Sequence, residues 1–264
     1  MIQGSGQPDP SVWSPVILPP EILDNILERI PADNKGRLTL IACASVATWF
    51  TGPSQRRLFS SVNIHQRNYK RWMSGAVLSE SKAHLLEYVR SLSYSRGPYY
   101  EMRDLPRDSG KYSSALRNLR SLTLCNIAVG RISEEEFHTC FSAFRETLTR
   151  LSLDGFTTSF CEFVTLVGYF PNITTLQLRS FRLKPDEGPV PPRPLLFRGK
   201  LRISVQADSP TFLNRFARLG LEYEELVIDT PSPTFSDTKL IERVLRISAS
   251  TIKFLRLTAQ LLCE

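Results

Sequence analysis

Histidine and cysteine are scarce in this 264-residue chain, which holds three of the first and five of the second. His65, His84 and His138 are isolated from one another. His138 and Cys140 are two apart on an expected helix, where side chains diverge. Cys43, Cys125, Cys140, Cys161 and Cys263 are odd in number and no two form a CxxC, so neither a disulfide framework nor a zinc ligand set is expected. No apolar run approaches the roughly 18 residues of a membrane span. The opening MIQGSGQPDPSVWSPV has neither the basic nor the apolar segment of a secretory leader. The expectation is a reducing, cytoplasmic or nuclear compartment, with the cysteines as small core residues.

Catalytic constellations are missing too. No Ser-His-Asp, Cys-His or paired-carboxylate set has useful spacing, and GSGQPD lacks the third glycine and the preceding strand of a dinucleotide fingerprint. Glu134, Glu135 and Glu136 read as first-turn acids that favour a helix dipole. No enzymatic activity, cofactor or metal is expected. The net charge of +7 rests mainly on arginines scattered between positions 29 and 256, often beside acids, with no run longer than Arg56-Arg57 and no interleaved aromatics. That distribution describes a solvated surface, so no nucleic acid and no membrane is expected as a partner.

What the sequence does hold falls into two regions of different period. In the first, up to residue 64, Leu18-Pro19-Pro20-Glu21 reads as a helix start, because proline is tolerated in the first turn and Glu21 complements the dipole. Ile22, Ile26 and Leu27 then share one face, and Pro31 ends the helix. The apolar run LTLIACASVATWF, residues 38–50, predicts one or two packed helices stopped by Gly52-Pro53. RRLFSSVNI, residues 56–64, turns into strand-like alternation at Val62 and Ile64. Three short helices in about 45 residues cannot bury all their apolar surface, and some of it needs a partner.

The second region repeats ΦxxΦxΦ, where Φ is apolar: Val89, Leu92, Tyr94; Leu119, Leu122, Leu124; Leu148, Leu151, Leu153; Ile173, Leu176, Leu178; Tyr223, Leu226, Ile228; Ile252, Leu255, Leu257. KLRISV is a weaker copy at Leu201, Ile203 and Val205. The central residues, from Leu92 to Leu255 through Leu201, are 30, 29, 25, 25, 25 and 29 apart by subtraction. Such a period marks a leucine-rich-repeat solenoid. Helix starts are expected between the strands: Ser133 with Glu136 and Ser159 with Glu162 as capping boxes, Asp208 or Ser209 before Pro210, and Thr234 with Asp237. Residues 95–111 and 184–194 are rich in turn formers and predict connections without helix. The chain stops at LRLTAQLLCE without a polar capping unit, so further chain or a covering partner is expected there.

LPPEILDNILERI, followed by an apolar helix ending in Trp49 and then RRLF, resembles the F-box, and with the repeats the chain resembles F-box proteins with leucine-rich repeats, of a type common in fungi. The familiar repeat Asn is replaced by Ile127, Phe156 and Phe181, so its hydrogen-bond ladder is not expected. The resemblance implies an α/β architecture: 1–15 disordered, 16–64 a three-helix F-box module, 65–87 a connecting helical segment, and 88–264 an irregular solenoid with a parallel sheet on its concave face. It implies a substrate receptor of an SCF-type ubiquitin ligase, docked on a Skp-type adaptor and through it on a cullin-RING ligase. The alternative is a repeat scaffold without adaptor binding. Leu18, Pro19, Ile22, Ile26, Leu27, Ile30, Leu38, Val46 and Trp49 would divide between adaptor contact and the module's own core. Strand alternation places Ser91, Ser93, Ser121, Thr123, Ser152, Thr175 and Val227 on the concave face. With them come Arg150, Asp154, Gln177, Arg179, Glu225, Asp229, Phe254 and Arg256, the expected contacts to a protein substrate.

Overall fold

The structure, a computed structural model, describes residues 18–65, 68, 80–95, 114–126, 134–184, 197–204, 222–230, 242, 245–246 and 249–259. The chain is mixed α/β and divides into two compact units between Leu58 and Phe59.

The first unit is helical. α1 (Pro20–Glu28) opens with proline in its first turn and Glu21 beside it, and Pro31 follows its end. α2 (Asn34–Val46) is capped by Asp33, whose carboxylate accepts from the Gly36 amide at 2.7 Å. Gly36 is required for a different reason: a Cβ there would come within 1.9 Å of the Pro31 carbonyl oxygen. The chain breaks at Ala47, which is extended, and α3 (Thr48–Phe59) follows. Gly52-Pro53 therefore does not end a helix as expected but lies inside one. The real stop is six residues earlier, so Pro53 falls in the second turn of a new helix, where it forfeits one backbone bond to Trp49.

The second unit is built on one parallel sheet of eight strands, ordered β1-β2-β3-β4-β6-β8-β9-β10. They are β1 (Ser61–His65), β2 (Ser91–Ser95), β3 (Ser121–Cys125), β4 (Arg150–Asp154), β6 (Thr175–Arg179), β8 (Arg198–Ser204), β9 (Glu222–Thr230) and β10 (Phe254–Ala259). β5 (Thr157–Thr158) and β7 (Arg182–Leu183) form a separate parallel pair. Each ΦxxΦxΦ supplies one strand, and β1 adds another. Val62 and Ile64, expected within the N-terminal module, instead pair with Leu92 and Tyr94 as the sheet's first strand. Connections include 3-10 turns at Glu80–Tyr88, Ser114–Leu116 and Ser142–Phe144, and helices α4 (Glu134–Phe141) and α5 (Phe160–Gly168).

The strands keep one register apart from a bulge between β8 and β9, where Gly199 pairs with Tyr223 and Lys200 with Glu225. Val62, Leu92, Leu122, Leu151, Leu176, Leu201, Leu226 and Leu255 form one cross-strand row, and two residues on, Ile64, Tyr94, Leu124, Leu153, Leu178, Ile203, Ile228 and Leu257 form another. From Val62 and Ile64 to Leu226 and Ile203 these rows face a single apolar core shared with Leu86, Val89, Phe141, Phe144, Phe160, Phe163 and Phe170 from the connections. Leu255 is the exception, 40% exposed on the edge strand β10, which has no described strand on its far side.

Side chains fix the register at both strand ends. Before β3 and β6, Asn118 Nδ2 and Asn172 Nδ2 donate to the carbonyls of Glu87 and Glu146 at 2.8 and 2.7 Å; before β4, Thr147 Oγ1 donates to Leu119 at 2.8 Å. An inter-strand side-chain ladder therefore exists, but at the start of the strands. At the other end Phe156 and Phe181 stack with centroids 6.3 Å apart, so ring packing takes the place of an amide ladder there. Asn126, Gly155 and Ser180, each just after a strand, adopt left-handed backbone, and a Cβ on Gly155 would meet Asn126 Oδ1 at 2.2 Å.

The capping box of Ser159 and Glu162 is present, with bonds of 3.2 and 2.9 Å, and Thr158 Oγ1 donates to the same carboxylate. Ser133, Asp208, Ser209, Thr234, Asp237, most of 95–111 and 185–194 lie outside the described residues, as do 1–15 and 260–264.

Core depth predicts unequal costs for the same truncation. Leu151→Ala, at the sheet's centre, lowers unfolding stability by about 3 kcal/mol, whereas Leu255→Ala at the edge costs less than about 1 kcal/mol. Urea midpoints measure both, and equal shifts would contradict this account of the edge.

Candidate interaction surfaces

Two surfaces gather the residues expected to bind partners. On the first unit, Ile22, Ile26, Leu38, Val46 and Trp49 are exposed, from 36% at Trp49 to 76% at Val46. Ile41, which its spacing in the sequence does not single out, joins them at 48%. Pro19 is exposed, and Leu18 and Ile30 are half-buried. Leu27 falls on the core side of the expected division: at 2% exposed it packs with the buried Leu23 and Leu40 set and does not share the face of Ile22 and Ile26. The helical phase explains this. Leu23 and Leu27, four apart, form the buried stripe of α1, and Ile22 and Ile26 form a parallel stripe one residue round, facing solvent. The helices are tied by Arg56, whose Nη2 donates to both Asp24 carboxylate oxygens at 3.0 and 3.2 Å, and by Arg57 Nη2 on the Glu28 carbonyl. These links orient the helices and, being exposed, contribute little stability.

The second surface is the sheet face opposite the core. Its three rows hold Ser91, Ser121, Arg150, Thr175, Lys200, Glu225 and Phe254; Ser93, Thr123, Ser152, Gln177, Arg202, Val227 and Arg256; and Ser95, Cys125, Asp154, Arg179, Ser204, Asp229 and Thr258. Strands β2 and β3 contribute no charge to these rows, and charges begin at β4. Arg150, Arg179, Phe254 and Arg256 are exposed; Asp154, Gln177 and Glu225 are half-buried. Asp229 lies in β9 beside Thr258, its side chain outside what is described.

Two residues depart from the expected face: Ser152 and Val227 are buried. Their cross-strand neighbours are longer, Gln177 beside Ser152 and Arg202 and Arg256 on either side of Val227, so a short side chain lies below their reach. Lys200 Nζ pairs with Glu225 Oε1. Gln177, with its amide oxygen turned to Arg179, accepts from Nε at 2.8 Å and Nη2 at 2.9 Å.

Within the third row Cys125, Asp154 and Arg179 are register neighbours. Burial pushes the Cys125 thiol above its usual range and the Asp154 carboxylate pushes it further, while a Ser93 hydrogen bond and the Arg179 guanidinium draw it down. Cys43, Cys140 and Cys161, like Cys125, are in no disulfide. Among the described residues, no three His, Cys, Asp or Glu side chains come together as a metal site, and no helix is long and apolar enough to cross a membrane. No protein-family model matches the chain, and no curated protein matches it in sequence.

The Cys125 setting has a measurable sign. Asp154→Asn removes a charge that raises the thiol pKa, so thiolate increases and iodoacetamide labels Cys125 about two- to fivefold faster at mildly alkaline pH. Arg179→Gln removes a charge that lowers it and slows labelling. Peptide mass spectrometry reads Cys125 separately from the other thiols, and a reversed order would contradict the arrangement.

Proposed function

We propose that this chain is the substrate-recognition subunit of an SCF-type ubiquitin ligase. Its N-terminal helices act as an F-box module on a Skp-type adaptor, and its sheet is the concave face of a leucine-rich-repeat solenoid that holds a protein substrate. The observation that carries this reading is the exposure of Ile22, Ile26, Leu38, Ile41, Val46 and Trp49 on a helical unit whose buried large apolar side chains, among the described residues, are Leu23, Leu27 and Leu40. More large apolar side chains face out than in. A unit of this size stays soluble with such a surface when a partner covers it. The order of LPPEIL, Trp49 and RRLF ahead of a repeating parallel sheet supports the family resemblance.

In this reading the chain forms and breaks no bonds. It holds a cytoplasmic or nuclear substrate at a fixed offset from the ligase's transfer machinery, so that lysine attack gains from proximity. A parallel sheet whose strands are each braced by the next suits that task because it bends little under load.

Co-expression with a Skp-type adaptor tests the docking. Wild-type chain co-elutes with the adaptor at equal stoichiometry, and Ile22→Asp/Ile26→Asp weakens the complex about a hundredfold or more. Both side chains are exposed, so the variant keeps its circular dichroism spectrum. Failure of folded wild-type chain to co-elute, or unchanged binding by the variant, overturns the proposal and favours a scaffold without an adaptor.

A further inference from the structure

β2 and β3 of the second unit are entered through the same pair, Arg90-Ser91 and Arg120-Ser121, and β4 through Thr149-Arg150, whose arginine comes one position later, level with the two serines. The backbone stacks these starts on one another. The amides of Arg120 and Ser121 both donate to the Arg90 carbonyl, and those of Thr149 and Arg150 both donate to Arg120, all at 2.9 Å. Neighbouring strands are about 4.8 Å apart, so Arg90, Arg120 and Arg150 have Cα positions spanning about 10 Å along the rim. All three side chains are exposed.

The pairing of nearby acids makes this rim unusual. Glu87 bonds to Arg117 at 2.7 Å, Glu146 lies 3.7 Å from Arg145, Glu225 pairs with Lys200, and Glu224 pairs with Lys253 at 2.9 Å. Arg90, Arg120 and Arg150 form no ion pair and no side-chain hydrogen bond among the described residues. Like charges on adjacent strands destabilise a sheet. At the described strand starts Lys200 is paired with Glu225 and Lys253 with Glu224, whereas Arg90, Arg120 and Arg150 on three adjacent strands stay unpaired, the electrostatics of an anion site awaiting its ligand.

We propose that this rim binds an acidic segment of a protein partner, with Arg90, Arg120 and Arg150 forking onto its carboxylates and the Ser91 and Ser121 hydroxyls beside them. The inference deepens the receptor reading and rests on the sheet's part in it, not on the adaptor's. A protein ligand fits better than a nucleic acid for two reasons. Among the described residues, the strand starts Arg90-Ser91, Arg120-Ser121 and Thr149-Arg150 hold no aromatic ring on which a base could stack. The unpaired basic tract is three strands long and gives way to Thr174 and Thr175 at β6 and to the ion-paired Lys200, Glu224 and Glu225 beyond, so no continuous basic track is there for a phosphate backbone to follow.

Fluorescence anisotropy with a labelled peptide of alternating Glu and Ser, on the full chain, tests the assignment. The peptide binds, a Lys/Ser peptide of equal length does not, and affinity falls as salt rises. Arg90→Ser/Arg120→Ser/Arg150→Ser weakens binding about tenfold, while Arg246→Ser, on a different part of the chain, leaves it unchanged. Replacing the three arginines by lysine retains charge and most of the affinity, and serves if the serine variant folds poorly. Absence of wild-type binding, equal binding by the serine variant, or tighter binding of a single-stranded oligonucleotide overturns the proposal. Adaptor co-elution separates the two readings: peptide binding without adaptor binding sinks only the receptor, and adaptor binding without peptide binding sinks only the rim site.

Discussion

The second unit depends on one register. The row from Val62 through Leu122, Leu151 and Leu176 to Leu226 is continuous only because each strand's leucine lies level with its neighbour's, and the bulge at Gly199 and Lys200 falls before Leu201 and leaves the row intact. A slip of one residue would turn each strand's leucines to solvent and its serines and arginines into the core. The fold guards against that slip with devices at both ends of the strands. Asn118, Thr147 and Asn172 tie strand starts to the preceding connection, and the left-handed residues Asn126 and Gly155 carry the backbone ladder past the strand ends, with amide bonds to Asp154 and Arg179 of 2.7 and 3.0 Å. Longer and shorter connections between strands are tolerated because their length does not alter either device.

This division explains what is legible in the sequence. The apolar spacing within each strand is a direct imprint of a buried face, so the parallel sheet, its strand positions and the Ser159–Glu162 cap are evident from the residue pattern alone. β1 reads as part of the helical module because it follows α3 after a single residue, and its alternation at Val62 and Ile64 does not reveal which strand it joins. The family resemblance directs attention to an amide ladder after the strands, at Ile127, Phe156 and Phe181. The ladder's signal, an Asn or Thr three residues before each of β3, β4 and β6, sits ahead of them at Asn118, Thr147 and Asn172.

The helical unit is less legible, for a reason of scale. On α1 an exposed stripe and a buried stripe are adjacent and equally apolar, Ile22 and Ile26 beside Leu23 and Leu27, so periodicity alone cannot choose between them. In a large core the choice would be moot, since both stripes would be covered. Here α1 is nine residues long and the described buried apolar set is small, so one stripe remains outside. Pro53 misleads for a related reason, because a proline that stops one helix and a proline in the second turn of the next leave the same local sequence.

Because the two apolar rows carry most of the stability of the sheet, the exposed residues of the three rows on its other face, unlike the buried Ser152 and Val227, are under less constraint from the fold. Their composition therefore reflects what the surface meets more than what holds the strands together. On β2 and β3 that face is Ser91, Ser93, Ser95, Ser121 and Thr123 with Cys125, small and uncharged; from β4 onward it carries Arg150, Asp154, Arg179, Lys200 and Glu225. A surface selected for solubility alone would mix charge of both signs throughout. In the receptor reading proposed above, segregation into a hydroxyl-rich half and a charged half, with Arg90 and Arg120 unpaired along the rim of the first, matches a ligand that lies across strands and changes character along its length. Hydroxyls can donate or accept, so the first half can follow a polypeptide backbone, whereas the guanidiniums at its rim only donate and so select anions.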